Sequence, residues 1–500
     1  MGFDFVAKSR QLSLIAIASL ISAFADARPL VMATGTMPGG RANPHDSISM
    51  TRAWLYAAVY DTLTFVDRDG QVIPWLATSW RRDSDRAWRF DLRPGVTFSD
   101  GAPLTARSIA ANIGYLNSDA GKIEPAAPFV YTIDAVDVID DHTFVLRTHN
   151  PDPVLPQKLS LIRIAAVADG EAMSRERLAQ AGIGSGPYRI ESWSPGRATL
   201  VAVPGAWRRA PTAQLDAVSI PESTSRRAAI ASGVADVAFA AFFFEDLDDP
   251  NLPYRLELDQ IPAVIGLAYN TKKDTPLRDS RVRRALSHAV DVNGIIKALF
   301  AGRAVRAAQI ARKESFGFNP DLNPAAYDPA RAQALLAEAG YPYGFALAMT
   351  LTSGATVWDQ VFQLIAADFA KIKVRLTINM LPEPVMSEQL FISGVKDDAY
   401  AAVYFSPTFD ALEAFRLSTC AWPASVYCDP PTQDLIDRAA AAVDTDDRAA
   451  LTRQALARSA EAAQALMLYE SIGLVGYNKR IRNFRSDFGF PRYELMVVDE

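Results

Sequence analysis

Cysteine is almost missing from this chain of 500 residues: Cys420 and Cys428 are its only two. With no second pair and no histidine beside them, a thiolate metal site is not expected. Histidine is nearly as scarce. His45, His142, His149 and His288 are its four occurrences, and no two share one helical face at ligand spacing, which argues against a zinc or nickel centre. Basic charge is not in excess. Lys and Arg number 51 against 57 Asp and Glu, a net charge of -6, and a phosphate-tracking surface needs the opposite balance. Arginine pairs such as Arg226-Arg227 and Arg283-Arg284 are scattered and read as solvated faces. Beyond the N-terminus, no stretch is apolar for long enough to cross about 30 Å of hydrocarbon.

Catalytic signatures are absent too. There is no Gly-x-Ser-x-Gly elbow, no His-Glu-x-x-His and no phosphate-cradling loop. Gly182-Ile183-Gly184-Ser185-Gly186 looks like a dinucleotide loop. It runs into Pro187-Tyr188-Arg189-Ile190, a strand pattern where that loop needs a helix. Acidic clusters such as Glu245-Asp246-Leu247-Asp248-Asp249 and Asp397-Asp398 sit in turn-like or helix-flanking contexts and read as solvated surface. Neither an enzyme nor a cofactor is expected.

What is present begins with a leader. Lys8 and Arg10 precede the short apolar run from Leu12 to Ile21, and small-x-small cleavage sites end at Ala25 and Ala27. No cysteine is near enough for a lipid anchor, so a freely diffusing periplasmic protein is expected. The apolar fraction of 49% and charged fraction of 22% are those of a globular protein. The length implies two or three domains. Export makes a Cys420–Cys428 disulfide the expectation, contributing roughly 2–3 kcal/mol at most for so short a loop.

The local patterns alternate strands and helices. Pro29 to Gly35 reads as a strand and Arg52 to Tyr60 as a helix. Thr62–Val66 and Val72-Ile73 form a hairpin, and so do Tyr188–Trp193 and Ala198–Val203. Thr105 is a good cap for a helix over Ala106–Leu116. Long helices are expected over Asp279–Leu299, stopped by Gly302, and over Asp447–Leu466, capped by Thr445. Tyr493-Glu494-Leu495-Met496-Val497-Val498 in the tail looks strand-like and would return to the first lobe.

Several blocks then carry a resemblance. Tyr60-Asp61-Thr62-Leu63, Pro74-Trp75-Leu76-Ala77-Thr78-Ser79-Trp80 and Trp88-Arg89-Phe90-Asp91-Leu92-Arg93-Pro94-Gly95-Val96-Thr97-Phe98 are followed by Gly184-Ser185-Gly186-Pro187-Tyr188. Further on come Asn270-Thr271-Lys272-Lys273, Val282-Arg283-Arg284-Ala285-Leu286, and Asp328-Pro329-Ala330-Arg331-Ala332. In this order they resemble the family 5 extracytoplasmic solute-binding proteins, the oligopeptide, dipeptide and nickel receptors of ABC importers. The resemblance implies an α/β, two-lobe periplasmic binding protein of the Venus-flytrap type (type II, cluster C). It also implies an extra subdomain in lobe I, and capture of a solute for a membrane permease and its ATPase. The expected division is 1–27 leader, 28–60, 184–264 and 477–500 lobe I, 61–183 extra subdomain, and 265–476 lobe II. The chain would act as a monomer.

In peptide-binding members of that family, an Asp after a late strand holds the ligand's α-ammonium. The comparable segment here is Tyr404-Phe405-Ser406-Pro407-Thr408-Phe409-Asp410-Ala411-Leu412-Glu413, and the Asp position falls on Pro407. Asp410 or Glu413 could substitute. The resemblance also places the loop with Ser47, Ser49, Thr51 and Arg52 at the cleft, where Arg52 could clamp a carboxylate or phosphate. Tyr269, Asn270, Trp358, Tyr404, Phe405 and Phe409 complete the candidates, each with core packing as the alternative. A peptide or peptide-like solute is the first reading. An opine, sugar-phosphate conjugate, glutathione or metal chelate is the second, and a secreted hydrolase a remote third.

Overall fold

The computed structural model describes residues 28–499 other than 40, 48–49, 168–171, 240–242, 354–355 and 423. The leader with its cleavage site near Ala25 or Ala27 falls outside the described residues, as does Ser49.

One mixed sheet of ten strands organises the chain. Its order is Tyr188–Ser194, Arg197–Ala202, Gln214–Ser219, Leu30–Thr34, Val237–Phe239, Ala465–Asn478, Tyr254–Tyr269, Ala399–Phe405, Ala346–Thr352 and Arg375–Leu381. Two strands are unusually long: Tyr254–Tyr269 has 16 residues and Ala465–Asn478 has 14. They pair antiparallel, with a break in register between Gln260 and Val264. Before the break the sheet continues through Val237–Phe239, which pairs with Val475 to Tyr477. After it the sheet continues through Ala399–Phe405, which pairs with Ala263 to Tyr269.

Two hydrophobic bodies flank that break. The first contains Leu30, Trp54, Tyr188 and Leu215 together with Phe90 and Phe144. The second divides over the two faces of the same strand, with Ile265 and Leu267 in one cluster and Val264 and Ala268 in another. This alternation explains why Pro262 to Tyr269 is apolar without interruption: both faces of that segment are covered.

The break itself is held by a buried arginine. Arg312 donates through Nη1 to the carbonyl of Ile261 at 3.2 Å and that of Ser471 at 3.1 Å, one on each long strand. Its Nη2 donates to Gln260 Oε1 at 3.2 Å. Glu314 and Glu470, each 3.2 Å away, balance its charge.

Within the first body, a separate antiparallel sheet runs Ala77–Ser84, Ala87–Leu92, Thr143–Thr148, Ile133–Val138. Phe90 and Phe144 stack across neighbouring strands at 5.4 Å. The helix Ala106–Asn117 packs beside it, with Thr105 at its N-cap and Ser108 Oγ accepting from the Thr105 N–H at 3.2 Å.

Three expected elements differ. The helix expected over Asp279–Leu299 is two, Ser280–Ala289 and Val292–Phe300. Val290 is extended, and Asp291 Oδ1 accepts from the Gly294 N–H at 2.9 Å, so a local side-chain cap restarts the helix. The long C-terminal helix is Thr445–Glu461, capped by Asp444 rather than Thr445. Asp444 Oδ1 accepts from Asp446 and Asp447 N–H at 2.9 and 3.0 Å. Ala463 then turns left-handed (φ 48°) and the strand begins at Ala465. In the tail, Tyr493–Leu495 is a 3-10 turn, and Val497–Val498 pairs only with Ile481–Arg482. Tyr493 is buried in the first body, donating its hydroxyl to the Trp54 carbonyl at 2.7 Å. The Cys420–Cys428 disulfide is formed.

Asp291→Ala is expected to lower the unfolding free energy by about 1 kcal/mol, the usual contribution of an N-cap carboxylate. Urea unfolding measures this. An unchanged midpoint would show that the cap is not what divides the two helices.

Candidate functional site

The central feature of the site is a buried carboxylate. Asp61 opens the two-residue strand Asp61–Thr62, which pairs with Arg163–Ile164. It is 1% exposed. Trp75 Nε1 and Trp207 Nε1 donate to it at 2.8 and 2.9 Å, and Ser185 Oγ at 2.8 Å. Arg208 pairs with it at 2.7 Å. Ser185 can reach Asp61 because the glycines on either side let two backbones touch. A Cβ on Gly184 would meet the Val59 carbonyl oxygen at 2.0 Å, and one on Gly186 the Ala58 carbonyl oxygen at 2.5 Å.

Above this hub lies a recess between the two bodies. The first body contributes Phe65, Trp75, Arg163 and Arg208, the register break contributes Pro262, and the second body contributes Pro407 and Phe409. Phe65 stacks on Trp75 at 4.8 Å, and the Arg492 guanidinium lies 4.9 and 5.0 Å from their rings. Arg208 and Arg492 are both neutralised, by Asp61 and Glu494 and by Asp487 and Glu494. Arg163 is different. Its Nη1 donates to the carbonyls of Pro44 and Ser47 at 2.9 and 3.0 Å, its charge sits 4.9 Å from the Tyr56 ring, and no described carboxylate forms an ion pair with it. Burial lowers its pKa, and the neighbouring Tyr56 and Asp46 oppose that shift.

Pro407 and Phe409 of the loop from Ser406 to Asp410 line this recess, and residues flanking the loop in the chain, Phe405 and Glu413, line a second one. Phe409 holds a left-handed conformation (φ 56°), costly for a bulky residue. Its N–H donates to the Ser406 carbonyl at 3.0 Å. Its ring meets Phe488 at 4.2 Å and packs with Val66, so it joins the second body to the first.

The second recess is lined by Trp358, Tyr404, Phe405 and Glu413. Glu413 accepts from the Thr408 N–H at 3.2 Å and the Thr408 hydroxyl at 2.5 Å. Burial pushes its pKa up to about 7, against those hydrogen bonds. No described cation forms an ion pair with it.

The other candidates fall in several places. Asp410 is buried, pairs with Arg448 and accepts from the Leu412 N–H at 3.1 Å, so its charge is already met. Tyr269 is fully buried in the second body. Asn270 donates to the carbonyls of Val395 and Asp397 at 2.9 and 3.2 Å, which fixes a turn. Tyr404 is 4% exposed and lies at the wall of the second recess, with its hydroxyl unpartnered. Thr51 and Arg52 belong to the helix Met50–Val59, and their side chains lie outside the described residues. Among the described residues no group of three or more His, Cys, Asp or Glu could hold a metal ion. His45 is buried, contacts Asn112 Oδ1 at 3.3 Å, and has its pKa lowered to about 3 by burial. Arg163, Phe65 and Arg492 were not among the sequence candidates. The available signal was a charge inside the apolar run Leu161-Ile162-Arg163-Ile164, where burial demands a partner.

Comparison with known proteins is consistent across sequence and structure. The family described as bacterial extracellular solute-binding proteins, family 5, matches residues 71–415. The dipeptide-binding protein of Escherichia coli (strain K12) is 26% identical across 98% of this chain and 98% of its own. The glutathione-binding protein GsiB of Pectobacterium atrosepticum is 25% identical across 77% of this chain and 76% of its own. The structure of NikA from Brucella suis in complex with Fe(III)-EDTA superposes with a TM-score of 0.84 at 22% identity, covering 95% of this chain and 100% of that one.

Asp61→Ala is expected to destabilise the protein by about 3–5 kcal/mol, because it leaves the Arg208 charge buried without its nearest partner. Trp207→Phe, which removes one donor, should cost about 1–2 kcal/mol. Urea unfolding of both variants checks the ranking, and equal small losses would overturn the hub assignment.

Proposed function

The chain belongs to family 5 of the bacterial extracellular solute-binding proteins, and we propose that it is the periplasmic receptor of an ABC importer. In this reading it captures a peptide or peptide-like solute between two lobes and delivers it to a permease. The lobes divide between 264 and 265 and between 476 and 477, and the register break at Gln260 to Val264, opposite Ile472 to Glu470, lies beside the first boundary and ahead of the second. The protein acts as an exported monomer, and its partners are the permease and ATPase subunits.

The observation that carries this proposal is a pair of charged side chains bordering one loop, neither in an ion pair with a described residue, although Asp46 acts on Arg163 and Arg416 on Glu413. Arg163 lines the recess on one side of the Ser406 to Asp410 segment, and Glu413 lines the recess on the other. A solute with a carboxylate and an ammonium would satisfy both. Of the two acids that could replace the ammonium-binding Asp, Asp410 is engaged by Arg448, which leaves Glu413. Trp358 and Tyr404 beside it, and Phe65 and Trp75 across the loop, supply flat apolar walls. Closure is favoured to the extent that the solute touches both lobes. The contact of Phe409 with Phe488 and Val66 adds an apolar latch to the closed form.

Pro407 favours a second reading within the same scaffold. It lines the inter-body recess, and the resemblance puts the family's ammonium-binding Asp at its position, so a solute rich in carboxylates is also compatible. The relatives named for glutathione and for Fe(III)-EDTA bind such compounds.

A thermal-shift panel of dipeptides to pentapeptides, glutathione, opines and sugar phosphates tests both readings. A solute at a hundredfold excess over its Kd stabilises by about 2.7 kcal/mol. No response to any peptide, with a response to an opine or sugar phosphate, would replace the first reading with the second. Turnover of a stabilising compound would replace both with a hydrolase. For an ammonium-bearing solute, Glu413 must be ionised. With its pKa near 7, affinity should fall as the pH drops from about 8 to about 6. Glu413→Gln should bind weakly with a flat profile, and Arg163→Met should bind weakly with the slope retained. Calorimetric titration across pH reads this, and a flat wild-type profile would exclude Glu413 as the ammonium anchor.

A further inference from the structure

Another recess opens in the second body and shares no lining residue with the two described above. It has a volume of ≈ 220 Å³ and lies between the helix Ser280–Ala289, the segment from Arg306 to Ile310, the stretch 323–325 and the end of the helix Thr445–Glu461. Its charge is one-sided: Arg284 and Arg306 line it, and no Asp or Glu does.

Arg306 is the more telling of the two. Its Nη2 donates to the Ala325 carbonyl, while its Nε is buried with no hydrogen-bond partner. No described carboxylate forms an ion pair with it; burial lowers its pKa, and the charge of Asp291, which does not line the recess, opposes that shift. Arg284 lacks a carboxylate partner as well and spends one donor on the Glu461 carbonyl at 3.0 Å. His288, on the same wall, has Nδ1 2.8 Å from the Ala326 carbonyl, which fixes its ring. A buried guanidinium donor without an acceptor is destabilising unless something supplies the acceptor.

We propose that this recess binds a small oxyanion, a carboxylate or phosphate group, held between the guanidinium groups of Arg306 and Arg284. The planar fork of each arginine suits two oxygens of one such group. Because the site lies outside the solute recesses, it can be occupied independently of the transported solute.

The test compares the melting temperature of the purified protein in inorganic phosphate, in succinate and in chloride at matched ionic strength, followed by calorimetric titration. Phosphate or succinate should raise it above chloride, and which of the two does so identifies the group bound. Arg306→Met and Arg284→Gln should each weaken that binding by about tenfold or more, whereas Arg163→Met should leave it in place. In chloride, Arg306→Met should be at least as stable as the parent, since it removes an unsatisfied buried donor. Identical melting in all three salts would overturn the proposal. So would a shift that survives both arginine substitutions, which would indicate an adventitious ion only.

Discussion

The Asp61 carboxylate is the constraint on which the first body depends. Four side chains from three separate segments converge on it: Trp75, Ser185, and the adjacent Trp207 and Arg208. Each donor is satisfied by the same two oxygens, and Arg208 also balances their charge. The blocks around Asp61, Trp75 and Ser185 that carry the resemblance assemble one buried charge network, which joins the segment leading into the four-stranded sheet to the main sheet and lines the recess. Losing Asp61 alone leaves its donors and the Arg208 charge unmet, and losing Arg208 alone leaves the carboxylate without its counter-charge in the interior.

The second organising element is the register break. A sheet normally transmits order evenly, because every strand is bonded to both neighbours. Here the two long strands exchange neighbours at the break, and Arg312 bonds one carbonyl on each. Its charge is met by Glu314 and Glu470, and Lys313 lies 3.8 Å from Glu314, so the buried guanidinium is not left without a counter-charge.

Short-range chemistry made much of the fold legible. The hairpins over Thr64–Val66 with Val72–Pro74, and over Tyr188–Ser194 with Arg197–Ala202, were marked by turn residues between alternating strands. The Thr105 cap and the Cys420–Cys428 staple likewise join residues close in the chain. What the sequence could not rank depended on distant partners. Asp410 and Glu413 are three residues apart and look alike, until Arg448, 38 residues on, claims the first. Arg163 gained its meaning only when the strand Arg163–Ile164 was placed beside Asp61–Thr62. The single helix expected over Asp279–Leu299 is divided for a related reason. Apolar periodicity continued through Asp291, but its side chain offered a competing local bond.

The continuity of the ten-stranded sheet also limits modularity. Tyr254–Tyr269 and Ala465–Asn478 each begin in one body and end in the other, so neither body owns a complete set of strands. Neither can be excised as a working fragment or grafted onto a relative without cutting through paired backbone. Change that spares the paired backbone is therefore confined to loops and recess walls.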